Sequence, residues 1–173
     1  ADAAGVIAAL SELFDFEKRY INYAKVCKKT GSDVLYMLSG GYARISGTGE
    51  KVEKLPYDGT FTGVAVTSTG VETKDVYKKF DEVGGDLPTD NNSGFSQNMR
   101  LGNMLMKAAC EINPQICACA AELEREGLTP NMTGSGSTVY AFTQDAREIA
   151  KKLTAKGLRT FAFETLPYGI EFL

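Results

Sequence analysis

The stretch Met132-Thr133-Gly134-Ser135-Gly136-Ser137-Thr138-Val139-Tyr140-Ala141-Phe142 sets a Gly/Ser turn directly against a run of β-forming residues. Two glycines flanking a serine let a chain reverse within a few residues. Such a turn has two readings. It is a hairpin corner between two strands, or a place where backbone N–H groups converge on a phosphate or a neighbouring chain.

Working outward, the sequence predicts a strand over 129–133, a strand over 138–143, a helix over 146–156 stopped by Gly157, and a strand over 159–165. Upstream, Phe61-Thr62-Gly63-Val64-Ala65-Val66-Thr67 reads as a strand. A helix over 72–83 follows, with Val76, Phe80 and Val83 as its apolar stripe. After a loop over 84–96 come helices over 97–112 and 114–126, the second opened by Pro114 and closed by Gly127. Met99, Met104 and Met106 read as core filling. Strand, helices, two strands, helix, strand is the order of a split βαβ, ferredoxin-like lobe, so the fold class is α+β.

Pro56-Tyr57-Asp58-Gly59 marks the boundary of that lobe, giving domains over 1–56 and 57–173. The first domain opens on a small-residue helix with Val6, Leu10, Leu13 and Phe14 at helical spacing, and a second helix covers 17–29. Next come a turn at Gly31-Ser32, a short apolar segment over 34–38, and a break at Gly40-Gly41. A strand over 42–46, the turn Gly47-Thr48-Gly49-Glu50 and an edge strand over 50–55 complete it. Asp33, between a turn and an apolar run, is either a helix cap or a functional carboxylate held by rigid structure.

The 173 residues carry a net charge of −3, which gives no basic surplus for nucleic acid or an anionic membrane. No apolar run reaches membrane-spanning length, and no signal peptide opens the sequence. Histidine is absent, which removes imidazole-based mechanisms. Of the cysteines Cys27, Cys110, Cys117 and Cys119, the Cys117-Ala118-Cys119 pair lacks zinc-site spacing, so no metal site is expected. Cys110 and Cys117, seven apart, read as small apolar residues for burial. With no disulfide framework in view, a reducing cytoplasm is the expected location.

Three features taken together, Ala1-Asp2-Ala3-Ala4, Gly31-Ser32-Asp33-Val34 with the glycine pairs after it, and Met132-Thr133-Gly134-Ser135-Gly136-Ser137, resemble the GHMP small-molecule kinases. The resemblance covers nearly the whole chain. It implies a remnant of the family's N-terminal lobe followed by its ferredoxin-like C-terminal lobe, and ATP-dependent phosphorylation of a small-molecule alcohol with Mg2+ shielding the phosphates. Asp33 matches the catalytic carboxylate. Ala1 and Asp2 match the end of the phosphate loop, and Gly134, Ser135, Gly136 and Ser137 the motif packed beneath it. Asn103 matches the start of an Asn-Asp-Leu-Glu segment on the substrate side. Here that segment reads Asn103-Met104-Leu105-Met106, without its acidic residues, and Leu35 stands where the family has proline. The phosphate loop and catalytic lysine would lie ahead of Ala1. The second reading is a degenerate, non-catalytic relative that binds a partner, and either reading leaves apolar surface for a missing half or for self-association.

Overall fold

The computed structural model describes residues 2–14, 22–56, 59–85 and 102–172. They divide into two units, one formed by Ala1–Thr60 with Thr165–Leu173, the other by Phe61–Glu164. The last nine residues, which the sequence reading placed with the second lobe, count with the first unit.

In the first unit, α1 spans Asp2–Leu13, α2 Tyr23–Thr30 and α3 Val34–Ser39. Asn22 caps α2, its side-chain oxygen accepting from the Lys25 N–H at 2.9 Å, and Lys28 and Lys29 complement the negative end of the dipole. The part of the expected 17–29 helix before Asn22 lies outside the described residues. The apolar 34–38 segment is a helix because Val34 and Leu38, four apart, face a small core with Ala4, Cys27 and Ile170. Strands β1 (Ala43–Ser46) and β2 (Lys51–Lys54) pair antiparallel from Ala43↔Lys54 to Ser46↔Lys51.

In the second unit the elements are β3 (Thr62–Thr67), α4 (Thr73–Val83), α5 (Met106–Ile112), α6 (Pro114–Arg125), β4 (Asn131–Met132), β5 (Thr138–Phe142), α7 (Ala146–Ala155) and β6 (Arg159–Glu164). The strands form one antiparallel sheet in the order β4-β5-β3-β6. That order is the ferredoxin-like arrangement read from the sequence. Because side chains alternate across a strand, Val64, Val66, Val139 and Ala141 share one face. They pack with Val76, Ile116, Leu123 and Leu153 from the helices into a continuous core. The opposite face carries Tyr140, Phe142 and Phe163, whose rings meet edge to face at 5.6 to 6.0 Å between centroids.

Two sequence expectations change here. The helix expected over 97–112 is helical, among described residues, only from Met106 onward. Asn103 Oδ1 accepts from the Leu105 N–H at 2.9 Å, a local bond that holds the chain in a turn before the helix begins. Cys110 and Cys117 are not two separate buried thiols but a disulfide, Cα atoms 5.5 Å apart. The chain breaks at Asn113, whose side chain caps α6 through the Gln115 N–H, and the break brings one sulfur of α5 against one of α6. Cys27 and Cys119 remain free and buried, and burial raises both thiol pKa values.

Candidate functional site

The 134–137 turn is a hairpin corner between β4 and β5, and it is heavily pinned. The Gly136 N–H donates to the Thr133 carbonyl at 2.8 Å, and the Thr133 N–H donates to the Thr138 carbonyl at 3.0 Å. The Gly136 amide is therefore used inside the turn rather than held out to a ligand. The Gly136–Ser137 peptide is cis.

The side chains of Asn103 and Thr73 and the backbone of Ser68 meet this corner. Asn103 Nδ2 donates to the Met132 carbonyl at 2.9 Å and to the Gly134 carbonyl at 2.7 Å, one amide bridging the turn. Both of its donors go to backbone carbonyls. Ser137 Oγ donates to the Ser68 carbonyl at 2.9 Å, joining the corner to the segment after β3. Ser135 Oγ lies 2.8 Å from Thr73 Oγ1, in the first turn of α4. Asn113 Nδ2 donates to the Thr69 carbonyl at 2.8 Å, and Thr69 Oγ1 donates to Gln115 Oε1 at 3.1 Å, which ties the same loop to the start of α6. A cavity of about 410 Å3 opens there, lined in part by Thr69, Glu72, Asn113 and Gln115. Its polar wall is made of hydroxyls, amides and backbone, with Glu72 as the one charged group. Sequence reasoning missed Ser68 and Thr73 as partners of the corner, and Asn113 and Gln115 as partners of the adjoining Thr69. Thr73 opens a helix and Asn113 precedes a proline, and both read locally as ordinary boundary residues.

Asp33 lies in the first unit, at the N-cap position of α3, with φ −88° and ψ −9°. Its side chain makes no capping bond, so the cap reading covers its position but not its carboxylate. The carboxylate is exposed, with the Ser32 hydroxyl donating to Oδ1 at 3.4 Å. The preceding Ser32 carbonyl rests against the 47–50 turn. There the Glu50 carboxylate accepts from the Thr48 N–H at 2.6 Å and from the Thr48 hydroxyl at 2.8 Å. Hydrogen bonds from its own backbone N–H, then the Thr48 hydroxyl and amide, hold the Glu50 pKa down to about 2. Asp2, exposed, occupies the first turn of α1, and Ala1 lies outside the described residues. The structure thus brings Asn103 onto the 134–137 turn in the second unit, and holds Asp2 and Asp33 in the first.

Among the described residues, no helix is long and apolar enough to cross a membrane, and no three His, Cys, Asp or Glu side chains gather as a metal-binding group. No family model matches the chain. Curated relatives do. The 4-diphosphocytidyl-2-C-methyl-D-erythritol kinase of Bifidobacterium adolescentis is 32% identical over 167 residues, 88% of this chain and 50% of the relative. The kinases of the same name from Carboxydothermus hydrogenoformans and Exiguobacterium sibiricum are 31% and 33% identical, covering 98% and 95% of the chain and 63% and 60% of themselves. A solved 4-(cytidine 5'-diphospho)-2C-methyl-D-erythritol kinase superposes with a TM-score of 0.72 at 27% identity, over 94% of this chain and 63% of that one. A homoserine kinase from Cytophaga hutchinsonii shares the fold, with a TM-score of 0.52 over 79% of this chain. The chain spans about half to two thirds of the length of the curated relatives it matches. With the ferredoxin-like sheet, the pinned Gly/Ser corner and these relatives in agreement, the chain belongs to the GHMP kinase family.

Proposed function

We propose that the protein is an ATP-dependent kinase of the isoprenoid route, phosphorylating a hydroxyl of 4-diphosphocytidyl-2-C-methyl-D-erythritol. The observation that carries this reading is the agreement of the curated relatives on that activity, aligned over 88 to 98% of the chain.

ATP, when bound, supplies the phosphoryl group. Asp33 takes the proton of the substrate hydroxyl as that oxygen bonds to the γ-phosphorus and the bond to the β-phosphate oxygen breaks, ADP leaving. An exposed carboxylate not used as a cap supports this role. Gly134, Ser135, Gly136 and Ser137, a corner fixed by Asn103 within the second unit, are assigned to phosphate binding on the resemblance of their motif. Asn103 thereby shapes the substrate side through the turn, which is how its two donated bonds bear on the role its motif implies. The start of α1 directs its dipole at phosphate, with Ala1 and Asp2 at the front. Asp2 itself repels phosphate unless a cation intervenes. The described residues gather no carboxylate cluster for Mg2+, so an ion would be held by the nucleotide phosphates, and no step here is assigned to it.

The reaction is assigned to the cytoplasm, although a bridge such as Cys110–Cys117 is commoner in oxidising compartments. The partner is a small-molecule alcohol, with no part for nucleic acid or membrane. Val6, Leu10, Leu13 and Phe14, all exposed on or just after α1, form an apolar strip that a second copy or further chain would cover.

In a chain matching the relatives over their full length, Asp33→Asn should lower turnover on the order of 10²- to 10⁴-fold with ATP affinity retained. Retained turnover removes Asp33 from catalysis. The 173 residues alone are expected to give little ATP turnover, because they span only about half to two thirds of the length of the relatives they match. Steady-state assays of this chain with the diphosphocytidyl alcohol check that.

A further inference from the structure

Helix α3 has six residues, too few to hold itself in place, since isolated helices of that length are unstable in water. Its position is set by backbone packed on backbone at both ends. At the front, Gly49 has φ +93°, and a Cβ there would overlap the Ser32 carbonyl, one residue before Asp33. The Gly49 turn is braced by the Glu50 carboxylate on the Thr48 amide and hydroxyl. At the rear, Gly40 ends the helix, its N–H donating to the Tyr36 carbonyl at 2.7 Å, and lies on the backbone of Tyr168 and Gly169. A Cβ on Gly169 would overlap the Met37 carbonyl. The next residue, Ile170, packs against the cluster of Ala4, Cys27 and Val34, which anchors this closing segment to the same small core. Tyr36 adds a hydrogen bond from its hydroxyl to the Gly41 carbonyl at 3.0 Å.

We propose that Gly49 and Gly169 are positioning residues for Asp33, clamping α3 between the β1–β2 turn and the C-terminal segment so that the carboxylate is held in one place. The proposal rests on the reading of Asp33 as the catalytic base. It adds a role for two parts of the chain, the 47–50 turn and the 167–170 segment, that the reaction itself does not use. Neither glycine tolerates a methyl group without moving the main chain of α3 or its neighbours, and displacements of about 1 Å at a reacting group cost on the order of 10²-fold in rate.

The test uses Gly49→Ala, Gly169→Ala and, as a milder loosening that keeps the backbone contacts, Ile170→Ala. Gly5→Ala, where a Cβ meets open space, is the control. Amide hydrogen exchange is followed at Met37 and Gly40, whose N–H groups close α3 onto Asp33 and Tyr36. Exchange at those two amides should accelerate about tenfold or more in the three variants and stay unchanged in the control. In a chain of the relatives' full length, kcat should fall on the order of 10²-fold for the two glycine variants, with KM for ATP within about twofold. Unchanged exchange in folded variants overturns the clamp whatever Asp33→Asn does. Faster exchange with an unchanged kcat overturns the positioning role. Should both glycine variants fail to fold, Ile170→Ala decides by the same two readouts. Turnover surviving Asp33→Asn removes the catalytic reading while leaving the exchange result to stand, so the two failures are told apart.

Discussion

At the scale of single residues, the site depends on hydrogen bonds whose loss has a definite sign. Asn103 gives both amide hydrogens to the 134–137 turn, so Asn103→Ala frees two carbonyls and should weaken the corner by about 1 kcal/mol at this half-exposed position. Asn103→Asp should be worse than alanine, since it sets carboxylate oxygens against two carbonyl oxygens. Amide exchange at Thr133 and Gly136 checks the ranking, and an aspartate variant milder than alanine would refute it. Glu50 makes a pH prediction. Its folded pKa, about 2, lies below the ordinary glutamate value, so its contribution is complete above about pH 4.5 and fades as pH falls toward 2. Thr48→Ala removes the hydroxyl bond and should move the Glu50 titration upward, which an NMR pH titration of its carboxyl carbon reads directly. The sequence pointed to Asp33, Asn103 and the Gly/Ser corner through motif spacing. It could not reveal that Asn103's donors go to backbone carbonyls, because the contacts span 29 and 31 residues.

At the scale of elements, periodicity identified every strand of the second unit, where alternation between a packed face and an aromatic face leaves a clear imprint. It did less well where side chains compete with the backbone or elements are short. The chain before α5 reads as helix because Met104, Leu105 and Met106 are good helix formers, yet the Asn103 side chain takes the Leu105 amide and delays the start. The α5–α6 junction hid its disulfide for another reason: the sequence ends one helix at 112 and opens the next at 114, but only the turn of the chain at Asn113 sets the angle that brings the two sulfurs together. Reduction of Cys110–Cys117, which closes a short loop, should lower stability by about 2 kcal/mol. Alkylation of unfolded, unreduced protein should modify Cys27 and Cys119 only, a mass shift of two adducts. Four adducts would remove the bridge.

At the scale of the whole molecule, the two units differ in how much apolar surface each buries. Among the described residues, the first has a cluster of three buried side chains, Ala4, Cys27 and Val34, whereas the second has a cluster of fourteen. Stabilisation from burial grows with apolar area removed from water, so the first unit is expected to be the weaker. Its exposed Leu13 and Phe14, 74% and 59% accessible, add to that imbalance by leaving apolar area in water. The two units divide at Thr60 and Phe61. The return of Thr165–Leu173 to the first unit had no sequence signal, because Gly40-Gly41 reads only as a local break and its packing on the backbone of Pro167, Tyr168 and Gly169 is visible only in the fold. Denaturant unfolding followed by tyrosine fluorescence and by amide exchange should therefore show two transitions, the first unit melting earlier. Leu123 is fully buried in the core of the second unit, and Leu123→Ala should lower the later transition by about 2 to 5 kcal/mol while the earlier one stays in place. A single transition, shifted as a whole by Leu123→Ala, would mean that the two units fold as one cooperative body and that the small cluster around Ala4 draws its stability from the larger core.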